Sequence, residues 1–215
     1  INIPYYLDYN QLKSKVDMKY KEKLLSKYKI KSTDTVIFFI GEFKRTGGVS
    51  DLVKAFIKLN KKTNDTKLLL VGGGYSYDEC MFLANQSEVR DNIIFEKRIS
   101  YKFLRTYQDL AHIIICPDRD NSFSRMIIHL KFWDALSSNR IVLCSGFKPI
   151  LEINKDEKLC INFKPSDFES LEKKLNYVVD NKKSLLKKFS TNRKYVENNF
   201  TYSSIRGNLL EIFNI

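Results

Sequence analysis

The chain has 215 residues, is 43% hydrophobic and 13% aromatic, and carries 37 Lys and Arg against 25 Asp and Glu. That length holds one large domain or two small ones with a sizeable core, and the composition excludes a disordered chain. No apolar run approaches the roughly 20 residues of a membrane span, and the formal charge of +12 favours anionic partners.

Ile1-Asn2-Ile3-Pro4 reads as a short extended lead-in, since Pro4 disfavours helix. Residues 10 to 28 form a Lys-rich helix with Leu12, Val16, Leu24, Leu25 and Tyr28 available for one apolar face. Val36-Ile37-Phe38-Phe39-Ile40 ends at Gly41 and is expected to be a strand buried on both faces. A polar loop from Glu42 to Gly48 leads into a helix from Asp51 to Leu59. The cycle repeats with a strand at Lys67–Val71, a turn at Gly72-Gly73-Gly74 and a helix over 76–87. Strands follow at Asn92–Phe95 and His112–Cys116, separated by a helix from Tyr101 to Leu110. Pro117 opens a polar loop, then comes a helix to Ser137, a strand at Ile141–Cys144 and a sixth at Leu159–Phe163. Helices over Asp167–Val179, Ser184–Glu197 and Ser203–Phe213 finish the chain.

Short apolar strands alternating with amphipathic helices imply βαβ units with right-handed crossovers. The expected class is therefore α/β: a single Rossmann-like domain with a mainly parallel six-stranded sheet and helices on both faces. Ligands of such sheets bind beyond the C-terminal strand ends, here near residues 41–48, 72–74, 97–100 and 117–125. Cys116, Cys144 and Cys160 fall in apolar runs and read as small core residues. With two histidines, no Cys-x-x-Cys pair and no clustered ligands, no metal site is expected. The basic charge is spread, with Lys13, Lys15, Lys19, Lys21 and Lys23 interrupted by Asp17 and Glu22, which reads as solvated faces. A reducing cytoplasm is the expected compartment, with peripheral contact at a membrane surface as the other use of the charge. The chain opens on Ile1 rather than Met and is expected to be a piece of a longer polypeptide.

Several motifs stand in a fixed order. Ile3-Pro4 with Asp8 resembles an "Ile-Pro-Asn-Gly-Val-Asp" hinge, and Gly41 through Leu52 a "Gly-Arg-Leu…Lys-Gly-Val-Asp-Leu-Leu" loop. Val71-Gly72-Gly73-Gly74 matches "Val-Gly-x-Gly", and Ile94 through Ser100 matches "Val-x-Phe-x-Gly-x-Val". Asp134-Ala135-Leu136-Ser137-Ser138-Asn139-Arg140-Ile141-Val142 is similar to "Glu-Ala-Met-Ala-x-Gly-x-Pro-Val". Lys164-Pro165-Ser166-Asp167 fits "x-Pro-x-Asp", and Phe200-Thr201-Tyr202 fits "Phe-Ser-Trp". Together they resemble the C-terminal, donor-binding half of a GT-B fold glycosyltransferase of family 4, the glycosyl transferases group 1.

The resemblance implies that residues 1–30 are the inter-domain hinge segment with its helix and 31–215 the nucleotide-sugar-binding domain. It implies a retaining, metal-independent transferase without a cofactor, using a nucleotide-diphospho-sugar in polysaccharide or glycolipid synthesis. The acceptor, a glycan or glycolipid, would come through an N-terminal domain or a partner chain. The arginine and lysine that clamp the donor diphosphate in the family align with Glu42 and Gly47. Lys44 and Arg45 either restore that charge or are exposed loop charges, and Ser124 and Arg125, read at the first turn of a helix, are further phosphate ligands.

The family's paired carboxylates admit two registers. One places Asn121 and His129 at the acidic positions, and the other keeps Asp134 for the ribose with Asp118 or Asp120 near the sugar. Asp134, Asp120 and Asn121 are thus the ribose or sugar candidates, with Asp134 alternatively a surface acid pairing with Lys131 or Arg140. Gly72, Gly73, Gly74 and Lys97 are the candidates for base or backbone contact. His129 reads as a packed or rim histidine, Lys131 as a snorkelling surface residue, and no catalytic residue is assigned. A non-catalytic descendant that has lost nucleotide binding is the second reading. A nucleic-acid module is the weakest, because no aromatic-basic RNA signature or DNA-binding motif is present.

Overall fold

The computed structural model of the chain describes residues 14–201 together with 203, 204, 206 and 210. The lead-in at residues 1–4, the start of the helix expected over 10–28, and most of that expected over 203–213 lie outside the described residues. The first described helix, α1, spans Met18–Lys27, and Asp17 caps its start, the carboxylate accepting from the Tyr20 amide at 2.9 Å.

Six strands follow: β1 Thr35–Glu42, β2 Thr66–Gly73, β3 Ile93–Glu96, β4 Ile113–Cys116, β5 Ile141–Ser145 and β6 Ile161–Phe163. Every pairing is parallel and the order is β3-β2-β1-β4-β5-β6. The helices are α2 Val49–Asn60, α3 Tyr77–Asn85, α4 Leu104–Leu110, α5 Leu130–Leu136 and α6 Lys148–Ile153, then α7 Phe168–Asp180, α8 Lys182–Lys188 and α9 Asn192–Asn199.

The period of two along each strand sorts the apolar side chains into two layers. Ile37, Phe39, Leu68, Leu70, Ile113 and Leu143 join Leu52, Phe56, Leu171 and Leu175 of α2 and α7 in one cluster. Their neighbours Val36, Phe38, Leu69, Ile114 and Val142 join Leu24, Tyr107, Phe132 and Leu136 of α1, α4 and α5 in the other. Helices therefore cover both faces, and each such buried side chain contributes about 1.5–3 kcal/mol of transfer free energy. All four cysteines are buried and free.

Several elements differ from the periodicity. The helix expected to run to Ser137 is confined to α5, and residues 117–129 are loop. The helix expected over 184–197 is broken at 189–191, where the buried Asn192 side chain donates to the Leu159 carbonyl at 2.7 Å and draws the chain inward. The sixth strand begins two residues late because Asn154 Oδ1 accepts from the amides of Leu159 and Cys160, at 2.8 and 3.1 Å. Helix α6, with Pro149 in its first turn, was not expected from the pattern.

Candidate functional site

The chain reverses direction across the sheet between β1 and β4, and a cavity of about 1160 Å³ opens beyond their C-terminal ends. Gly41, Glu42, Lys44, Thr46 and Gly47 form one wall from the loop after β1. Asp118, Asn121, Phe123, Ser124 and His129 form another from the loop after β4, and Lys131 and Trp133 reach in from α5. The far side is Pro149, Glu152 and Ile153 of α6 with Phe200.

The two loops meet through a glycine. Gly48, in the left-handed region at φ +64, has the Pro117 carbonyl oxygen 1.9 Å from where a Cβ would sit. Arg119 then ties the β4 loop down: its guanidinium donates twice to the Asp51 carboxylate at 2.7 Å, and its amide donates to the Thr46 carbonyl at 2.8 Å.

Of the residues expected from sequence to hold phosphate, Lys44 and Ser124 line the cavity and Arg45 and Arg125 do not. The Lys44 ammonium lies 3.1 Å from the Glu42 carboxylate, so each neutralises the other. Arg45 stacks on the Tyr75 ring, 4.1 Å from its centroid, and also donates to the Tyr75 hydroxyl. Arg125 lies in a turn and not at a helix start, since α5 begins at Leu130; its guanidinium is held by both carboxylate oxygens of Asp120. That pairing raises the pKa of Arg125 and lowers that of Asp120.

Among the ribose and sugar candidates, Asn121 is in the cavity wall, whereas Asp120 and Asp134 are not. Asn121 donates to Ser124 Oγ at 2.9 Å and accepts from the Ser124 amide at 3.0 Å, and Ser124 Oγ lies 3.0 Å from His129 Nε2. Burial lowers the His129 pKa, opposed by the nearby Asp118 charge. Asp134 faces the β3 side, where its carboxylate accepts from the Tyr101 hydroxyl at 2.7 Å. Burial raises its pKa and that hydrogen bond partly offsets the rise. It pairs with neither Lys131 nor Arg140, whose partners are Asp118 and Asp109.

The glycine turn serves the protein's own backbone. A Cβ on Gly72 would lie 2.0 Å from the Gly41 carbonyl oxygen, and the Gly73 carbonyl accepts from the Phe43 amide at 3.0 Å. Lys97 is exposed on the loop after β3.

Sequence reasoning passed over three contributors. Lys131 is a cavity residue and not a snorkelling surface residue: only 21% of its side chain is exposed, and its ammonium lies 2.6 Å from Asp118 Oδ1. Trp133 packs at a tilt against Phe200 with ring centroids 4.2 Å apart, and its buried indole N–H has no partner among the described residues. The α6 wall was missed with α6 itself. Spacing carried no signal for Lys131, because its partner lies thirteen positions away across an irregular loop. Among the described residues no group of three or more His, Cys, Asp or Glu side chains gathers as a metal site, and no helix is long and apolar enough to cross a membrane.

Residues 20–196 match the family model described as glycosyl transferases group 1. No curated protein matches the chain. Among solved structures, a glycosyltransferase from Rickettsia africae ESF-5 is similar at a TM-score of 0.79 and 19% identity, over 97% of this chain and 55% of that one. The C-terminal domain of the group 1 family protein LpcC from Francisella tularensis superposes at a TM-score of 0.70 and 18% identity, over 91% of this chain and 98% of that domain. Anabaena Alr3699/HepE in complex with UDP gives a TM-score of 0.79 at 12% identity, over 99% of this chain and 57% of that one. The chain thus spans little more than half the length of the Rickettsia and Anabaena proteins.

Proposed function

We propose, because this chain belongs to the glycosyl transferases group 1 family, that it is the lobe of a glycosyltransferase that binds the nucleotide-diphospho-sugar donor. The observation that carries this reading is the cavity at the point where the strand order reverses, between the loops after β1 and β4. In this reading residues 1–30 lead in from a second lobe and residues 31–215 hold the donor. The diphosphate lies toward Lys44, Ser124 and Asn121, and the nucleoside toward Asp134 and Tyr101.

Transfer is retaining and metal-independent, and needs an acceptor glycan or glycolipid presented by the second lobe. The donor's own phosphate assists the acceptor hydroxyl, so this lobe's part is electrostatic support of the leaving diphosphate. The enzyme would act in polysaccharide or glycolipid synthesis in the cytoplasm, with its +12 charge available for anionic lipid.

Titration with UDP, GDP, ADP and TDP by calorimetry tests this. One of them should bind, and Asp134→Ala should weaken it by about 1–3 kcal/mol, the range for hydrogen bonds to a charged group, while the variant remains folded. The Glu42–Lys44 pair on the cavity wall favours the second reading, a non-catalytic module that has lost nucleotide affinity. Binding of none of the four to the folded protein would select that reading.

A further inference from the structure

We propose, resting on the donor-binding reading above, that Lys131 is the cation that meets the donor diphosphate and that the Asp118 carboxylate competes with that phosphate for it.

The charges around the cavity lead to this residue by what the others are doing. Among the lining side chains, the three carboxylates of Glu42, Asp118 and Glu152 outnumber the two ammonium groups of Lys44 and Lys131, so the cavity has no surplus positive charge of its own. Lys44 is 60% exposed and beside Glu42, where solvent screens it. Arg45 is stacked on Tyr75, Arg119 is committed to Asp51 through two hydrogen bonds, and Arg125 is committed to Asp120. Lys131 differs in being both in the cavity and mostly out of water, with its ammonium 5.7 Å from the centroid of the Phe39 ring. A charge in that setting acts on a ligand more strongly than the same charge in solvent.

The two partners of the ion pair are unequally held. Asp118 is buried in the loop just after β4, and its backbone carbonyl accepts from the Ser145 hydroxyl at 2.6 Å. Lys131 ends in a flexible four-carbon stem, able to turn its three donors from a carboxylate to a phosphate oxygen nearby. A phosphate brings more charge and more acceptor oxygens than the carboxylate, so it wins the lysine against a competitor that the fold keeps in place. Asp118 therefore lowers donor affinity while keeping Lys131 aimed into the cavity.

Calorimetry and thermal unfolding of the 215-residue chain test this with UDP, GDP, ADP and TDP, the matching nucleosides, and inorganic pyrophosphate. Lys131→Met should weaken the best nucleoside diphosphate by about 10- to 100-fold and leave the matching nucleoside unchanged, while Lys131→Arg retains most of the affinity. Asp118→Asn should tighten the diphosphate and enlarge its thermal stabilisation. Unchanged diphosphate affinity in Lys131→Met overturns the lysine's role, and weakened affinity in folded Asp118→Asn overturns the competition. Should Lys131→Met fail to fold, Lys131→Gln, which also removes the cation, is read by the same outcomes. If the parent binds no nucleoside diphosphate but pyrophosphate stabilises it and not Lys131→Met, the lysine's role stands and the donor reading falls. If no probe binds the parent or Asp118→Asn, both fall.

Discussion

At the residue scale, His112 shows how a half-buried polar side chain is accommodated at the edge of an apolar sheet. It stands one position before β4, and its Nδ1 accepts from the Val36 amide at 3.1 Å, which requires the neutral imidazole. Burial first, then the charges of Lys182, Arg140 and Lys21, push its pKa down to about 4 from 6.5. Below about 6.5 the unfolded chain takes up a proton that the folded chain refuses until about 4. The unfolded state binds more protons in that window, so the stabilisation is complete above it and is lost as pH falls through it. His112→Gln keeps an acceptor for Val36 without titrating. Its denaturation midpoint should fall less than the parent's across that window, and an equal fall in both proteins would remove His112 as a cause.

At the element scale, the contact between the β1 and β4 loops decides the shape of the cavity, and Gly48 sets that contact. A methyl group there meets the Pro117 backbone at 1.9 Å as well as an unfavourable φ. Gly48→Ala should therefore cost at least about 2 kcal/mol, and move the cavity walls with it. Gly73→Ala is the matched control, because nothing lies within 4 Å of its Cβ position; it should stay within about 0.5 kcal/mol of the parent. Comparable unfolding temperatures for the two variants would contradict this reading. The same loops mark where sequence stopped being informative. Strands such as Val36–Ile40 were legible because burial on both faces demands an unbroken apolar run, and the parallel sheet was legible because helices separate the strands. Chain geometry also brought Lys44, Asn121 and Ser124 to one cavity, as their loops are adjacent at the switch point. Which cations remain for a ligand was not legible. The Arg45–Tyr75 stack, the Arg125–Asp120 pair and the Lys131–Asp118 pair arise from side-chain packing across loops that follow no period.

At the scale of the whole molecule, the proposed function makes the cavity one half of a reaction centre. Its rim carries Phe123, Met126 and Leu130, which are 57%, 71% and 51% exposed, beside a polar wall built from two loops. Large apolar side chains gathered at a cleft mouth mark a surface that another body covers, and the Rickettsia and Anabaena proteins are nearly twice as long as this chain. Binding a nucleotide and transferring a sugar should therefore separate. On the proposed function, donor affinity depends on groups this chain supplies, whereas transfer needs an acceptor oxygen held about 3–3.5 Å from the sugar carbon, with water excluded. The isolated chain should bind a nucleoside diphosphate more weakly as salt rises, because screening acts on the partly exposed charges around the cavity. With the matching nucleotide-sugar it should release no sugar at a rate near the 1–10³ s⁻¹ typical of enzymes, and adding a second lobe should restore transfer to a glycan or glycolipid acceptor. Release of nucleoside diphosphate from the nucleotide-sugar, followed with and without that lobe, measures the difference. Turnover at an enzyme-like rate by this chain alone would mean that the cavity is a complete active site, and the two-lobe reading would be wrong.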